Sequence, residues 1–326
     1  MKFFHRRLFT LFLLATSLLS ACSPAVTTPP AAPAQPTLTP APTILPTASS
    51  ISMKDGLGRT VTLPHTPNRI ISLAPSNTEI LFAIGAGSLI VGRDSYSDYP
   101  EEAKTIQDIG GPSFGSSMEM ITKLQPDLIL AAEINSAEQV AEFEKLGFTI
   151  FYLTNPKEIT DLYTNLETVG QLTGHEKEAA VLVESLKNRV TAVDNKIAKA
   201  ASKPKVFYEV DGTDPAKPWT TGPGSFMDKM IIRAGGQNAG AGLPIQWAQI
   251  SQEELIVQDP DLILLGDAKY GTSAEMVKKR AGWEAIKAVK NDNIISFNDD
   301  LASRPGPRLV DGLEALAQAI HPELFK

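Results

Sequence analysis

Apolar residues along this chain fall into two alternating rhythms. Short unbroken runs, "RIISLAP", "LIVGRD", "DLILAA" and "TIFYLT", read as buried strands, and segments of helical period such as "AEQVAEFEKLG" separate them. Ahead of the first run, "KDGLGRTVTLP" carries two turn-forming glycines before alternating Val61 and Leu63, the pattern of a short hairpin. Ser76 with Glu79 reads as a capping box that opens a helix through "NTEILFAIGAG". The longest periodic segment runs from Glu176 to about Ala201, where Ala180, Val183, Leu186, Val190, Val193, Ile197 and Ala200 recur at helical spacing. It predicts one amphipathic helix of roughly 39 Å, from about 26 residues at about 1.5 Å each. Strand and helix then alternate again through "KVFYEV", "SFMDKMIIRAGG", "DLILLGD", "EAIKAVKND" and "NIISFND", and the chain closes on a helical "LVDGLEALAQAI". Such alternation predicts parallel sheets with helices on their faces. A helix about twice the average length, standing between two similar α/β halves, predicts a spine that joins two lobes.

The halves also repeat each other in detail. "SMEMITKLQPDLIL" and "SQEELIVQDPDLIL" share one offset, so that Ser117 matches Ser251, Glu119 matches Glu253 and Asp127 matches Asp261. Each serine stands at an apparent helix start, and each aspartate, in Pro-Asp, starts a strand. Acidic residues in a first helical turn are favoured by the helix dipole, by a few tenths to about 1 kcal/mol, so Glu119 and Glu253 have an ordinary structural explanation. Glu254 reads as the capping-box partner of Ser251.

The start of the chain obeys neither rhythm. Lys2, Arg6 and Arg7 precede an uncharged apolar run from Leu8 to Leu19 that ends in "LSAC", the layout of a secretory signal over residues 1–21. The run is short of the ~20 apolar residues of a permanent span. Its ending resembles the lipobox at which bacterial lipoproteins are cut and acylated on the new N-terminal cysteine. Cys22 is the only cysteine, so no intramolecular disulfide can form, and it is the expected lipidation site. Residues 22–52, rich in Pro, Thr, Ala and Ser and uncharged, predict a tether that cannot bury enough apolar surface to fold. The remaining boundaries are expected at 53–174 for an N-terminal lobe, 175–202 for the interlobe helix and 203–326 for a C-terminal lobe.

Composition narrows the chemistry. With 43% hydrophobic and 21% charged residues among 326, a sizeable core is expected. The formal charge of −7 becomes more negative once the leader's three cations are removed, which argues against nucleic acid as a partner. Only His65, His175 and His321 lie in the body, each at a turn or helix end, so no metal site is expected. Haem would need an axial His or Tyr, which Tyr96 or Tyr99 could supply. "GPGSF" lacks the Gly-x-Ser-x-Gly elbow, and "GGQNAGAGL" has neither dinucleotide nor P-loop spacing, so no catalytic residue and no catalytic cofactor are expected.

Four stretches, "SLAPSNTEILFAIGA", "SYSDYP", "WAQISQEEL" and "SRPGPRL", resemble the extracytoplasmic substrate-binding proteins of ABC transporters for vitamin B12 and ferric siderophores, and most of all the cobalamin binders. The resemblance covers the body from about Gly56 to Phe325. It implies a class III periplasmic-binding fold, with two Rossmann-like lobes joined by a single long α-helix, and such a single spine is expected to limit closure on ligand to a few degrees. It also implies a monomer tethered outside the cytoplasmic membrane that carries cobalamin as transported ligand, with an ABC permease dimer as partner. A ferric siderophore or haem binder of the same fold is the alternative, and a surface-anchored enzyme acting on a corrinoid is a second class. Tyr96 and Trp247 match ligand-facing aromatic positions, as does Trp219 in "KPWTTG". Phe114 lies near a family tryptophan and is expected to face Trp247 across the cleft. In "DDLASRPGPRL", Arg304 is the expected ligand contact with Asp300 beside it, whereas Arg308 is expected to be structural. The resemblance gives Glu119 and Glu253 a sharper role, each docking onto arginines of a permease subunit. Trp283, in a helical stretch, is assigned to packing.

Overall fold

The structure, a computed structural model, describes residues 50–111 and 115–326. Strand β1 (Ile51–Lys54) pairs antiparallel with β2 (Thr60–Leu63), forming the hairpin expected around Gly56 and Gly58 and reaching back two residues beyond Met53. A four-stranded sheet follows, built from β3 (Ile70–Ser72), β4 (Ile90–Arg93), β7 (Leu128–Ala132) and β8 (Ile150–Leu153) in the order β4-β3-β7-β8. All its pairings are parallel. A two-residue ribbon, β5 (Gly110–Gly111) with β6 (Gly115–Ser116), sits beside it. Helices α1 (Pro75–Ala83), α2 (Met118–Leu124), α3 (Ala137–Lys145) and α4 (Ile159–Thr173) make the crossovers and close this lobe.

Helix α5 (Glu176–Ile197) has 22 residues, about 33 Å at 1.5 Å per residue. It ends a turn earlier than its apolar spacing predicted, leaving Ala200 outside. Its buried stripe is Ala179, Val183, Leu186, Val190 and Val193; Ala179 rather than Ala180 faces inward, because α4 packs against that side.

The second lobe carries β9 (Lys205–Asp211), β10 (Trp219–Thr221), β11 (Gln237–Asn238), β12 (Trp247–Gln249), β13 (Leu262–Leu265) and β14 (Ile294–Ser296). Its sheet runs β12-β10-β9-β13-β14, with β11 also pairing β9. Here the expectation of purely parallel pairing fails on one edge. Strands β9, β13 and β14 are parallel, but β10 and β12 run antiparallel. A short connection explains the first reversal, since residues 212–218 suffice to turn the chain from β9 into β10, whereas a parallel return needs a crossover of about a dozen residues or more; β12 then pairs β10 from the far side of residues 222–246. Helices α6 (Phe226–Arg233), α7 (Gln252–Gln258), α8 (Ala274–Val277), α9 (Lys287–Lys290), α10 (Asp300–Ser303) and α11 (Leu309–Ile320) complete the lobe.

Successive strand residues point to opposite faces, and this divides the core. Ile70, Leu128 and Leu130 of one sheet and Val206, Tyr208, Leu262 and Leu264 of the other join a single apolar cluster through the inner face of α5 and through α11. The alternate residues Ile71, Ile129 and Ala131, and likewise Phe207, Ile263 and Leu265, belong to clusters private to each lobe. Trp283 is fully buried in the latter, its ring edge-on to Phe207, as assigned from sequence. No helix among the described residues is long and apolar enough to cross a membrane.

Candidate functional site

The repeated stretches build one device twice. Ser117 caps α2 by accepting from Met120 N–H at 3.2 Å, and Ser251 caps α7 by accepting from Glu254 N–H at 3.1 Å. Each helix ends in a left-handed residue, Gln125 (φ 47°) or Asp259 (φ 44°), and the Pro-Asp carboxylate then pins the neighbouring strand. Asp127 accepts from the backbone N–H of Asn68 and Arg69 at 2.8 and 3.0 Å, and Asp261 from that of Lys205 at 2.8 Å. The reciprocal half of the second capping box is missing, because Glu254 accepts instead from Gln258 at 2.7 Å. Glu119 and Glu253 occupy equivalent first-turn positions, both exposed. Neither carboxylate is drawn into an ion pair with a described residue.

Between the lobes lies a cavity of about 530 Å³, within the usual range for small-molecule sites. Its walls come from the carboxyl ends of the parallel strands, where open α/β sheets place ligands. Tyr96 follows β4, Ile134 follows β7, Asn155 follows β8, and Lys269 with Tyr270 follows β13. The segment from Asp299 to Pro305, after β14, forms the opposite wall. A smaller cavity of about 170 Å³ adjoins it, shares Asn155, Asp299, Ser303 and Pro305, and adds Trp247 and Tyr208.

Tyr96 is 42% exposed and stands on a turn fixed from below. The buried Asp94 carboxylate accepts from Tyr96 N–H at 2.8 Å and from the Ser97 hydroxyl, and Ser97 in turn meets Thr78 at 2.8 Å. Burial pushes Asp94 above its ordinary pKa, against the pull of those donors. Trp219 and Trp247 sit on the antiparallel edge of the second sheet, where Trp219 opposes Gln249 and Thr221 opposes Trp247. That register puts both indoles on one sheet face, 43% and 48% exposed, while Thr220 and Ala248 turn inward. Trp219 lies outside the two cavities, on the continuation of the same face. Phe114 and Cys22 lie outside the described residues.

Arg304 and Asp300 do line the cavity, but as members of an ion network. Asp300 accepts from Lys269 Nζ at 2.5 Å and lies 3.3 Å from Arg304 Nε. The other end of the Arg304 guanidinium pairs with Asp98 of the first lobe and stands 4.0 Å from Glu79. Burial works to raise the Asp98 carboxyl, but the hydrogen bond and charge of Arg304 outweigh it and hold the group below its ordinary value. Arg308, read as structural, grips Glu79 with two bonds of 2.9 and 2.5 Å and stacks 3.9 Å from the centre of the Tyr99 ring.

Glu79 therefore does not complete a capping box with Ser76. Helix α1 begins at Pro75 without a side-chain cap, and the carboxylate turns away to meet the second lobe. Burial raises its pKa, opposed by the two arginines. Gly306 permits this approach, since a Cβ there would sit 3.1 Å from Glu79 Oε2. At the junction of the cavities the Tyr208 hydroxyl donates to Asp299, and burial, with that carboxylate beside it, lifts the phenol well above its ordinary pKa.

Ile134, Asn155, Lys269, Tyr270 and the pairing role of Asp98 escaped the sequence reading. The strand-end rule was the available signal for the first four. Nothing local marks Asp98, whose partner is 206 positions away.

Comparison with known proteins supports this geometry. Over 85% of this chain and 87% of its relative, the sequence is 35% identical to the uncharacterized ABC transporter substrate-binding lipoprotein YvrC of Bacillus subtilis. A Vitamin B12-binding protein of Yersinia pestis is 30% identical over 79% of this chain and 88% of its own. Among solved structures, the periplasmic vitamin B12 binding protein BtuF of Vibrio cholerae superposes with a TM-score of 0.68 at 26% identity, covering 80% of this chain and 99% of that one. The periplasmic heme-binding protein RhuT of Roseiflexus sp. RS-1 reaches 0.71 at 28% identity, covering 79% and 99%. Residues 70–301, spanning both lobes and the helix between them, match the periplasmic binding protein family, and this chain belongs to that family of solute-binding proteins that serve ABC transporters.

Proposed function

We propose that this protein captures cobalamin or a related corrinoid between its lobes and presents it to an ABC permease. The observation that carries the reading is the pair of half-exposed indoles on one sheet face, with the Tyr96 phenol on the other lobe. A corrin presents broad apolar faces that flat side chains cover well, and an amide rim that asks for scattered polar groups such as Asn155 and Ser303. Two relatives named for cobalamin or vitamin B12 binding support it, one from Halobacterium salinarum at 26% identity and one from Yersinia pestis at 30%. Arg304 and Asp300 contact the ligand rim, and Phe114, by its place in the sequence, is a further ligand contact.

Docking falls to Glu119 and Glu253, one exposed carboxylate at the same place in each lobe's repeat, neither ion-paired among the described residues. Cys22 carries the lipid, the tether from Cys22 up to the start of β1 holds the body off the membrane, and the protein works as a monomer outside the cytoplasm. The shared apolar cluster through α5 favours closure of a few degrees rather than a wide clamp. The test is direct: full-length protein mixed with cyanocobalamin should co-elute as a coloured complex, and failure to co-elute rejects the ligand class. Haem is the second reading, favoured by two half- or fully exposed phenols, Tyr96 and Tyr270, at the same cavity. A Soret band that shifts in Tyr96→Phe or Tyr270→Phe would support it.

A further inference from the structure

Three of the sequence stretches that stand out in this chain meet at one point. Glu79 comes from "SLAPSNTEILFAIGA", Asp98 and Tyr99 from "SYSDYP", and Arg304 and Arg308 from "SRPGPRL". Within this knot the two arginines differ. Arg308 is committed to Glu79, whose side chain is 2% exposed. Arg304 lines the ligand cavity, and its partner Asp98 is half-exposed at the rim.

Lys269 and Arg304 are the cations among the residues lining the larger cavity, facing Asp299 and Asp300 on the same walls. Lys269 is bonded to Asp300, and Arg304 is shared between Asp300 and Asp98. An entering anion thus meets no unpaired cation. It must either displace Asp98 or accept the repulsion of three carboxylates. We infer that Asp98 is a specificity determinant of the cleft, holding Arg304 so that multiply anionic ligands are rejected in favour of neutral ones. This rests on reading the cleft as the ligand site and deepens that reading. Exposed rim charges contribute modestly to affinity but strongly to discrimination, because a like-charge juxtaposition is avoided only by the correct partner.

The test compares two iron complexes of similar size and different charge, a triply anionic ferric tris-catechol and a neutral ferric tris-hydroxamate. Binding to the full-length protein is followed by quenching of tryptophan fluorescence. The quantity read is the ratio of the two affinities within each variant, which an inactive fraction does not alter. Asp98→Asn should raise the preference for the anionic complex about tenfold over the parent, Asp98→Glu should leave it unchanged, and adding Arg304→Gln to Asp98→Asn should cancel the gain. An unchanged or lowered ratio in Asp98→Asn, absence of anionic-complex binding to that variant, or a gain that survives Arg304→Gln overturns the proposal. Should Asp98→Asn fail to fold, Asp98→Ser gives the same reading. Cyanocobalamin run alongside separates the two claims: its failure to bind the parent rejects the corrinoid, whatever the ratio shows.

Discussion

The two lobes share a construction unit and differ at one sheet edge. In both, a serine-capped seven-residue helix, a left-handed C-terminal residue and a Pro-Asp carboxylate set an inner strand against its neighbour. The first lobe stops at an all-parallel sheet, whereas the second adds the antiparallel pair β10 and β12, which carries both exposed tryptophans. The duplicated unit thus supplies scaffold and a symmetric pair of surface carboxylates, while the unduplicated edge supplies an aromatic wall. Duplication accounts for what the lobes share, and departure from it for the exposed aromatic face that only one of them carries.

The contact between the lobes gives the largest expected effect. Arg308→Met leaves the buried Glu79 carboxylate without its main counter-charge and should cost about 3 kcal/mol in urea unfolding near neutral pH, the low end for a broken buried pair because Arg304 stays close to the carboxylate. A loss under about 1 kcal/mol would show the pair to be dispensable. The asymmetric edge comes next: Trp247→Ala should weaken cyanocobalamin by about 2 kcal/mol, roughly thirtyfold, with little change in stability, as for a central aromatic anchor. Titration calorimetry reads it, and equal weakening by Val257→Ala, an exposed site on α7, would point to a non-specific effect.

The shared unit should respond symmetrically. Ser117→Ala and Ser251→Ala should each cost about 1 kcal/mol, the usual value of an N-cap, and a difference beyond a factor of two would mean the repeats are not equivalent in energy. The smallest effect is in pH. Glu79, raised by burial, contributes stability that is full below its ordinary 4.5 and falls as pH rises through its folded value. Asp98, held below 3.8 by Arg304 against burial, contributes above 3.8 and loses this as pH falls through its folded value. Denaturation series between about pH 3 and pH 6 should therefore show Glu79→Gln flattening the upper part of the profile and Asp98→Asn the lower. The reverse assignment would contradict the ion network.

Much of the scaffold was legible because it is written in local periods. Continuous apolar runs marked β3, β7, β9 and β13, and the three-and-four spacing marked α5, although the helix ended at Ile197 rather than near Ala201. The antiparallel edge was not legible, since "WTT" and "WAQ" are too short to show a period and their direction depends on which strand they find. Glu79 misled for the opposite reason, as its spacing from Ser76 satisfied a local rule that a distant arginine overrode.

Short-range patterning alone determined the parallel strands, the long helix and the capped repeat, because hydrophobic period, caps and turn residues act over a few positions. Only the folded chain decided that Tyr96, Trp247 and Arg304 share one cleft and that Asp98 and Glu79 bind arginines more than two hundred positions away. Such contacts depend on how the two sheets are set against α5, and that arrangement is fixed by the summed packing of one apolar cluster rather than by any segment within it.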